Sequence, residues 1–379
     1  MKRRILCRPD RAAIPLALAI AASTGRSDAS LAIFFWMALA RIPTLCMGFA
    51  LRRAAGTALT PHWLRRYWTF ALLITLLGGG LLLFVSAMSP RAAAAFASWS
   101  GAAPPKEIWP LAGLGVVLAL KDLFAEHLHG HGQAFSAALL EMIAALLLLA
   151  AIFLGDARWW FGAGIVALLI AFATGTSIAG NPIAAPHAAP LREIPGAAAR
   201  ELLYPLIAFG LLAAFSRFAR IDGNSSLPCA ALLIGEAFFC GAQSAFRRSE
   251  EESAAVGWWF TLFAGALLIA AVILPALAGR DGKIPYCAVL CAGGMLCALW
   301  TSTCLRWRAL LSLALETVSA ALAALFAGNI LGWEASWLVP LLSIVAIALR
   351  LADARAIFLR VRARRLRGKN SAALSKSQT

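Results

Sequence analysis

The chain has 379 residues, 61% of them hydrophobic and 14% charged, with a formal net charge of +16. A soluble domain of this length cannot bury so much apolar surface. Uncharged runs such as YWTFALLITLLGGGLLLFVSAM (67–88) reach the roughly 20 residues a helix needs to cross a bilayer core. The positive charge does not point to nucleic acid, because Lys and Arg collect in short loops and at the ends, where they orient membrane helices. The sequence therefore predicts an all-α polytopic membrane protein of about twelve transmembrane helices.

In chain order the apolar segments lie near 11–24, 30–51, 67–88, 107–125, 134–155, 159–180, 201–218, 227–246, 254–278, 284–304, 309–331 and 335–352. The first follows MKRRILCRPDR and has the basic start, short apolar core and small residues of a signal peptide. An internal repeat, described below, favours its retention. The second carries Arg41 and, close by, Pro43, which would bend the helix and free a carbonyl.

Between the fourth and fifth segments stands FAEHLHGHGQAF (124–135), with His127, His129 and His131 at every second position. In an extended loop such alternation could chelate a transition metal, with Glu126 as a fourth ligand. Gly130 and Gly132 instead suggest a flexible joint, and the apolar segments offer no relay of metal ligands beyond it. The expectation is a structural joint, with no metal site and no cofactor. The fifth segment contains Glu141. After the sixth, NPIAAPHAAPLREIPGAAA (181–199) holds four prolines and reads as a linker. The eighth contains Glu236 and the eleventh Glu316.

The two sides of the linker repeat each other. Pro15-Leu16 matches Pro205-Leu206, ALRR (50–53) matches AFRR (245–248), and YWTF (67–70) matches GWWF (257–260), at offsets of 190, 195 and 190. SAALLE in the fifth segment matches SLALE in the eleventh, with Glu141 and Glu316 offset by 175; a shorter outer loop in the second half accounts for the drop. Two six-helix repeats share one membrane orientation, because six is even. The predicted organisation is a six-helix lobe at 1–180, a cytoplasmic linker at 181–199, a second lobe at 200–352 and a basic tail at 353–379. With both termini inside, inner segments carry 25 of the 34 Lys and Arg and outer loops 8, which supports that topology.

Charges inside apolar helices are costly and usually face a cavity. Arg41 and Glu236 share the offset of 195, so they occupy equivalent places in the two halves with opposite charge. They read either as a substrate or proton site between the lobes or as an ion pair that joins them. Glu141 and Glu316 are secondary candidates, expected to be satisfied by serine or backbone partners and by snorkelling. Lys121-Asp122, near a segment end, is expected at the interface.

Seven of the eight cysteines lie in apolar runs and read as small packing residues; no CxxC pair or zinc-type spacing occurs. No nucleophile elbow, P-loop or HExxH motif is present either. The longest outer loop, SPRAAAAFASWSGAAPPKE, has no His or Asp, which speaks against an enzyme that builds polymer outside the cell.

The two stretches HLHGHGQAFSAALLEMIAALLLLAAIFLGDARWWFGAGIVALLIAF and CLRWRALLSLALETVSAALAALFAGNILGWEASWLVPLLSIVAIAL each set a charged joint before a long apolar hairpin. AIAASTGRSDASLAIFFWMALARIPTLCMGFALRR resembles a first helix pair with a Gly25 turn. In this pattern the chain resembles the multidrug/oligosaccharidyl-lipid/polysaccharide exporter superfamily, and the polysaccharide flippases within it. That resemblance implies two lobes rocking about a central cavity lined by helices one, two, seven and eight, with Arg41 facing the cavity and Glu236 opposing it. It implies a transporter, not an enzyme, that flips lipid-linked oligosaccharides across a bacterial cytoplasmic membrane. Its partners would be the lipid-linked sugar, membrane lipids and other polysaccharide-assembly membrane proteins, with no nucleic acid. The chain departs from the family in its short loops and in offering one clear mid-helix arginine to an anionic headgroup. A cation-coupled drug exporter of the same architecture and a membrane polymerase or glycosyltransferase are the alternatives.

Overall fold

The computed structural model describes residues 9–38, 40, 68–69, 71–81, 108–177, 226–243, 266 and 291. The chain forms two compact units, Pro9–Ala237 and Met1–Arg8 with Phe238–Thr379. All described regular structure is helical: a 3-10 turn at Pro9–Ala12, α1 (Ala13–Ser23), α2 (Ser27–Ala38), α3 (Ala71–Leu81), α4 (Ile108–Gly130), α5 (Ala134–Leu154), α6 (Ala157–Ser177) and α7 (Ser226–Gln243). The apolar segments expected near 11–24, 134–155, 159–180 and 227–246 thus appear as helices shifted by a few residues. The segment expected near 201–218 and, but for residues 266 and 291, those expected after residue 246 lie outside the described residues, as does the linker at 181–199.

The local chemistry explains these helices. α5 is AFSAALLEMIAALLLLAAIFL, rich in Ala and Leu and free of Gly and Pro. Its 21 residues at about 1.5 Å each span about 31 Å, the thickness of a bilayer core. α5 and the stretch Ala157–Gly175 of α6 are both long and apolar enough to cross a membrane. Leu139, Met142, Leu146 and Phe153 on α5, and Val166, Leu169 and Phe172 on α6, are exposed. A hairpin that is apolar on its outer face as well as within suits lipid rather than water. The chain is an all-α polytopic membrane protein. Pro15, Pro110 and Pro228 each stand third in their helix. There the missing N–H removes no intrahelical bond.

Glycine closes two of the helices. Gly25 after α1 and Gly132 after α4 have φ of +91° and +78°. At the end of α1, Gly25 N donates to Ala22 O and Arg26 N to Ala21 O. At the end of α4, Gly132 N donates to His129 O and Gln133 N to Leu128 O. Both pairs form the paired bonds that a left-handed residue makes past a helix C-terminus, satisfying carbonyls the helix leaves open. α6 starts differently. Asp156 accepts the Arg158 N–H on its carboxylate at 3.1 Å, so it caps the helix N-terminus.

α4 is the centre of the first unit. α3 runs antiparallel to it, with Gly79 against Val116, Ala71 beside Leu123, and Trp68 beside Phe124. α6 runs parallel to it, with Phe161 over Gly113, Leu114 over Gly164 and Phe124 over Gly175. α2 comes closest: a Cβ placed on Gly115 would stand 2.5 Å from the carbonyl oxygen of Trp36. Water does not drive helices together inside a membrane, so association depends on this close van der Waals fit at small residues.

Candidate functional site

Most of the described ionisable groups gather around the C-terminal half of α4. The hairpin register puts them there. Lys121 and Glu141 each lie ten residues from His131, which stands in the α4–α5 turn. They therefore meet at one level, as do Ala125 and Ala137. Lys121 Nζ donates to Glu141 Oε2 at 2.5 Å and lies 2.9 Å from Asp122 Oδ1. Lys121 is 0% exposed and Glu141 4%.

This adds to two expectations. Lys121, expected near a segment end, is wholly buried in the helix bundle. Glu141 takes as a partner a lysine on the neighbouring helix, which the sequence reading did not assign to it. Two ions this dry cost several kcal/mol each to desolvate, and only close mutual contact offsets that cost. The missed signal was arithmetic: a Lys and a Glu equidistant from a glycine-closed turn face each other across a helical hairpin.

The histidine run is also not the extended, flexible joint that its spacing suggested. α4 continues through His127 and His129 to Gly130. Helical geometry turns every-second-residue spacing into divergent directions, while residues four apart share a face. His127 and His131 lie together, ring centroids 4.4 Å apart at 79°. The His129 ring nitrogen lies 3.0 Å from the carboxylate of Asp10 in the N-terminal 3-10 turn. Beside it Arg11 pairs with Glu126. Glu126, the fourth ligand of the chelation reading, thus faces an arginine.

Trp68 donates its indole N–H to Nδ1 of His127 at 3.1 Å. A neutral ring whose Nδ1 accepts a hydrogen bond carries its proton on Nε2, so neither nitrogen offers a free lone pair. His127 and His131 extend beyond the apolar run of α4, and burial lowers both imidazoles. His127 falls to about 4, chiefly through burial and secondarily through His131. Among the described residues no three His, Cys, Asp or Glu groups are placed to hold a metal. His129 and His127 instead fasten the N-terminal turn and Trp68 to the end of α4, and the His131 ring packs on His127.

Glu236, a principal candidate, sits in the middle of α7 and is 2% exposed. Leu232, Leu233, Ala237 and Phe239, its neighbours in α7, are buried too. The first turn of α7 touches the start of α2, where the Cys229 thiol donates to the Ser27 carbonyl at 3.6 Å. Cys229 and Cys240 are buried and form no disulfide, as expected of packing residues. Arg41 and Glu316 lie outside the described residues, so the Arg41–Glu236 juxtaposition belongs to the proposal below.

No protein-family model matches the chain, and no curated protein matches it. Among solved structures it is similar to a multidrug resistance MATE family transporter of the MOP superfamily in an inward-facing conformation. The identity is 14% and the TM-score 0.41, over 92% of this chain and 94% of that one. The functional reading rests on the residues themselves.

Proposed function

We propose that the protein is a membrane transporter that flips lipid-linked oligosaccharide repeat units across the bacterial cytoplasmic membrane by alternating access, for surface polysaccharide assembly. One observation carries the transporter reading: ionisable side chains are buried within apolar helices, with Lys121 at 0%, Glu236 at 2% and Glu141 at 4% exposure. Such groups are expensive in a membrane bundle and mark paths for ions or polar substrates.

In this reading two six-helix lobes, 1–180 and 200–352, flank a cytoplasmic linker at 181–199, and a basic tail at 353–379 anchors the cytoplasmic end. Arg41 and Glu236 occupy equivalent places in the lobes. The Arg41 guanidinium offers a planar fork to a phosphate oxygen. Glu236 pairs with it when the cavity is empty. The protein performs no covalent step. Its partners are the lipid-linked sugar, the surrounding lipids and the polymerising machinery.

Glu236 also favours a second reading. A carboxylate buried at 2% exposure suits a cationic substrate, so a cation-coupled drug exporter of the same architecture fits about equally well.

A strain lacking the protein separates the two. The flippase reading predicts that complete lipid-linked repeat units accumulate inside while surface polysaccharide is lost. Unchanged pools, together with greater sensitivity to cationic drugs, would overturn it in favour of the exporter. In the flippase, Arg41→Ala abolishes export and Arg41→Lys retains part of it.

A further inference from the structure

We propose that Ser30 on α2 is a sugar-contacting residue at the outer mouth of the transport path, its hydroxyl exchanging hydrogen bonds with a hydroxyl group of the passing oligosaccharide. The inference rests on the flippase reading and names one polar contact for its substrate.

A comparison of buried hydroxyls is the first argument. Thr75 on α3 and Ser30 on α2 are 1% and 0% exposed. Thr75 turns its hydroxyl back to the Ala71 carbonyl at 2.8 Å, and Thr174 on α6 does the same to Ile170 at 2.7 Å. This is the ordinary way a helix in lipid satisfies a hydroxyl. The matching carbonyl for Ser30 is that of Arg26, which accepts the Ser30 backbone N–H at 3.0 Å. The Ser30 hydroxyl does not turn back to it and has no hydrogen-bond partner. A hydroxyl sealed away in that state bears its full desolvation cost, which an alanine there would not. Such a group fits a partner that is present in another state of the protein.

Placement is the second argument. Ser23, Thr24, Arg26 and Asp28, in and beside the α1–α2 turn, are exposed, and two residues further on Ser30 is fully buried. From Ser30 to Phe34 five consecutive residues, more than one helical turn, are buried. There α2 is covered on every side, whereas α1 leaves Leu16 and Ile20 exposed. A side chain on such a helix meets protein or, when the bundle opens, whatever passes through it. The start of α7 closes over this region: the Cys229 thiol, a weak donor, bonds the Ser27 carbonyl at 3.6 Å, one turn before Ser30. In the proposed topology both helices start on the outer side, so this seam is the outer mouth.

The ligand chemistry follows from what the two helices offer. α1 contains no ionisable residue, and α2 has only Asp28, which is exposed. A serine hydroxyl brings one donor, two acceptor lone pairs and no charge. That matches the uncharged, hydroxyl-bearing body of a sugar. A cationic drug calls instead for a carboxylate such as Glu236.

The test uses the full chain in the deletion strain, with surface polysaccharide and cationic-drug resistance both read at equal protein levels. Melting temperatures are read on the purified protein in lipid nanodiscs. Ser30→Ala removes the hydroxyl, Ser30→Thr keeps it, and Thr75→Val removes an equally buried hydroxyl on α3. The expected result is that Ser30→Ala lowers polysaccharide export about threefold or more, as the loss of one hydrogen bond does, yet melts no lower than the wild type. Ser30→Thr restores export, and Thr75→Val leaves it unchanged. A hydroxyl that only packed the bundle would give the opposite pattern, with stability lost and export per folded protein kept.

If Ser30→Thr does not fold, access decides. In Ser30→Cys, a membrane-impermeant thiosulfonate applied outside the cells, with the modified position read by mass spectrometry, should label position 30 during export. Unchanged export in Ser30→Ala, a lower melting temperature in Ser30→Ala, or an unlabelled position 30 in Ser30→Cys would each overturn the proposal. Failure of the flippase reading shows separately: the wild type itself then restores drug resistance and no polysaccharide, and the sugar contact falls with it.

Discussion

Two hairpins share helix α5 and are held together in different ways. The α5–α6 hairpin is largely apolar: Asp156 caps α6 with Arg158 beside it, and no ionisable residue lies between Glu141 and the turn. The α4–α5 hairpin closes on a left-handed Gly132 and carries the Lys121–Glu141 pair between its helices. A membrane protein gains little from driving apolar helices together, because lipid solvates them as well as a neighbour does. Charge between helices is costly to place there and strongly specific once placed. One hairpin is therefore a fitted apolar contact, and the other is tied by charge between its helices.

Variants can break this contrast, beginning with the largest effect. Lys121→Met leaves Glu141 buried without its ammonium and should destabilise the protein by about 3–5 kcal/mol in thermal unfolding. An equivalent apolar swap on α6, Ile165→Met at an exposed position, should change it by less than about 0.5 kcal/mol. Gly115→Leu tests the fitted kind of contact, because its side chain must displace the Trp36 backbone. Overpacking of this kind costs about 1–3 kcal/mol. Gly80, where a Cβ meets nothing within 4 Å, should accept Ala without loss.

The two turns come next. Asp156→Ala removes the cap of α6 and should cost about 1 kcal/mol. Gly132→Ala places a Cβ at φ +78° and should cost about 1–2 kcal/mol.

A further effect is one of pH. Burial holds the His127 imidazole at about 4, below the roughly 6.5 of a free histidine. The folded protein resists protonation there. The stability that the neutral ring contributes is complete above about pH 6.5 and is lost as pH falls from there toward 4. Melting temperature should fall over that window in the wild type and fall less in His127→Gln.

Much of the helical content was legible in the sequence. Runs such as ALLEMIAALLLLAAIFL have one outcome, and glycine marked the ends of α1 and α4 where left-handed backbone was needed. Glu141 and Glu236 were legible as intramembrane carboxylates because a single charge in an apolar run stands out. Lys121 did not stand out, because it lies where the run gives way to DLFAEHLHGH, a stretch that reads as interface. Its burial follows from where α4 stops, and α4 stops at a glycine after the histidines rather than before them. The same displaced boundary turned an imagined extended chelator into a helical end whose rings face Trp68, Asp10 and one another. Helix period was the competing principle: at every second position side chains leave a helix on different sides, so His129 parts from His127 and His131.

The most direct test is a double-mutant cycle on Lys121 and Glu141, read by thermal unfolding of the full chain. The account predicts that Lys121→Met with Glu141→Met is close to the wild type in stability. Each single change alone should be strongly destabilising, giving a coupling close in size to the sum of the two single effects. Additive single effects, with no recovery in the double variant, would mean that the two side chains do not meet and would contradict it.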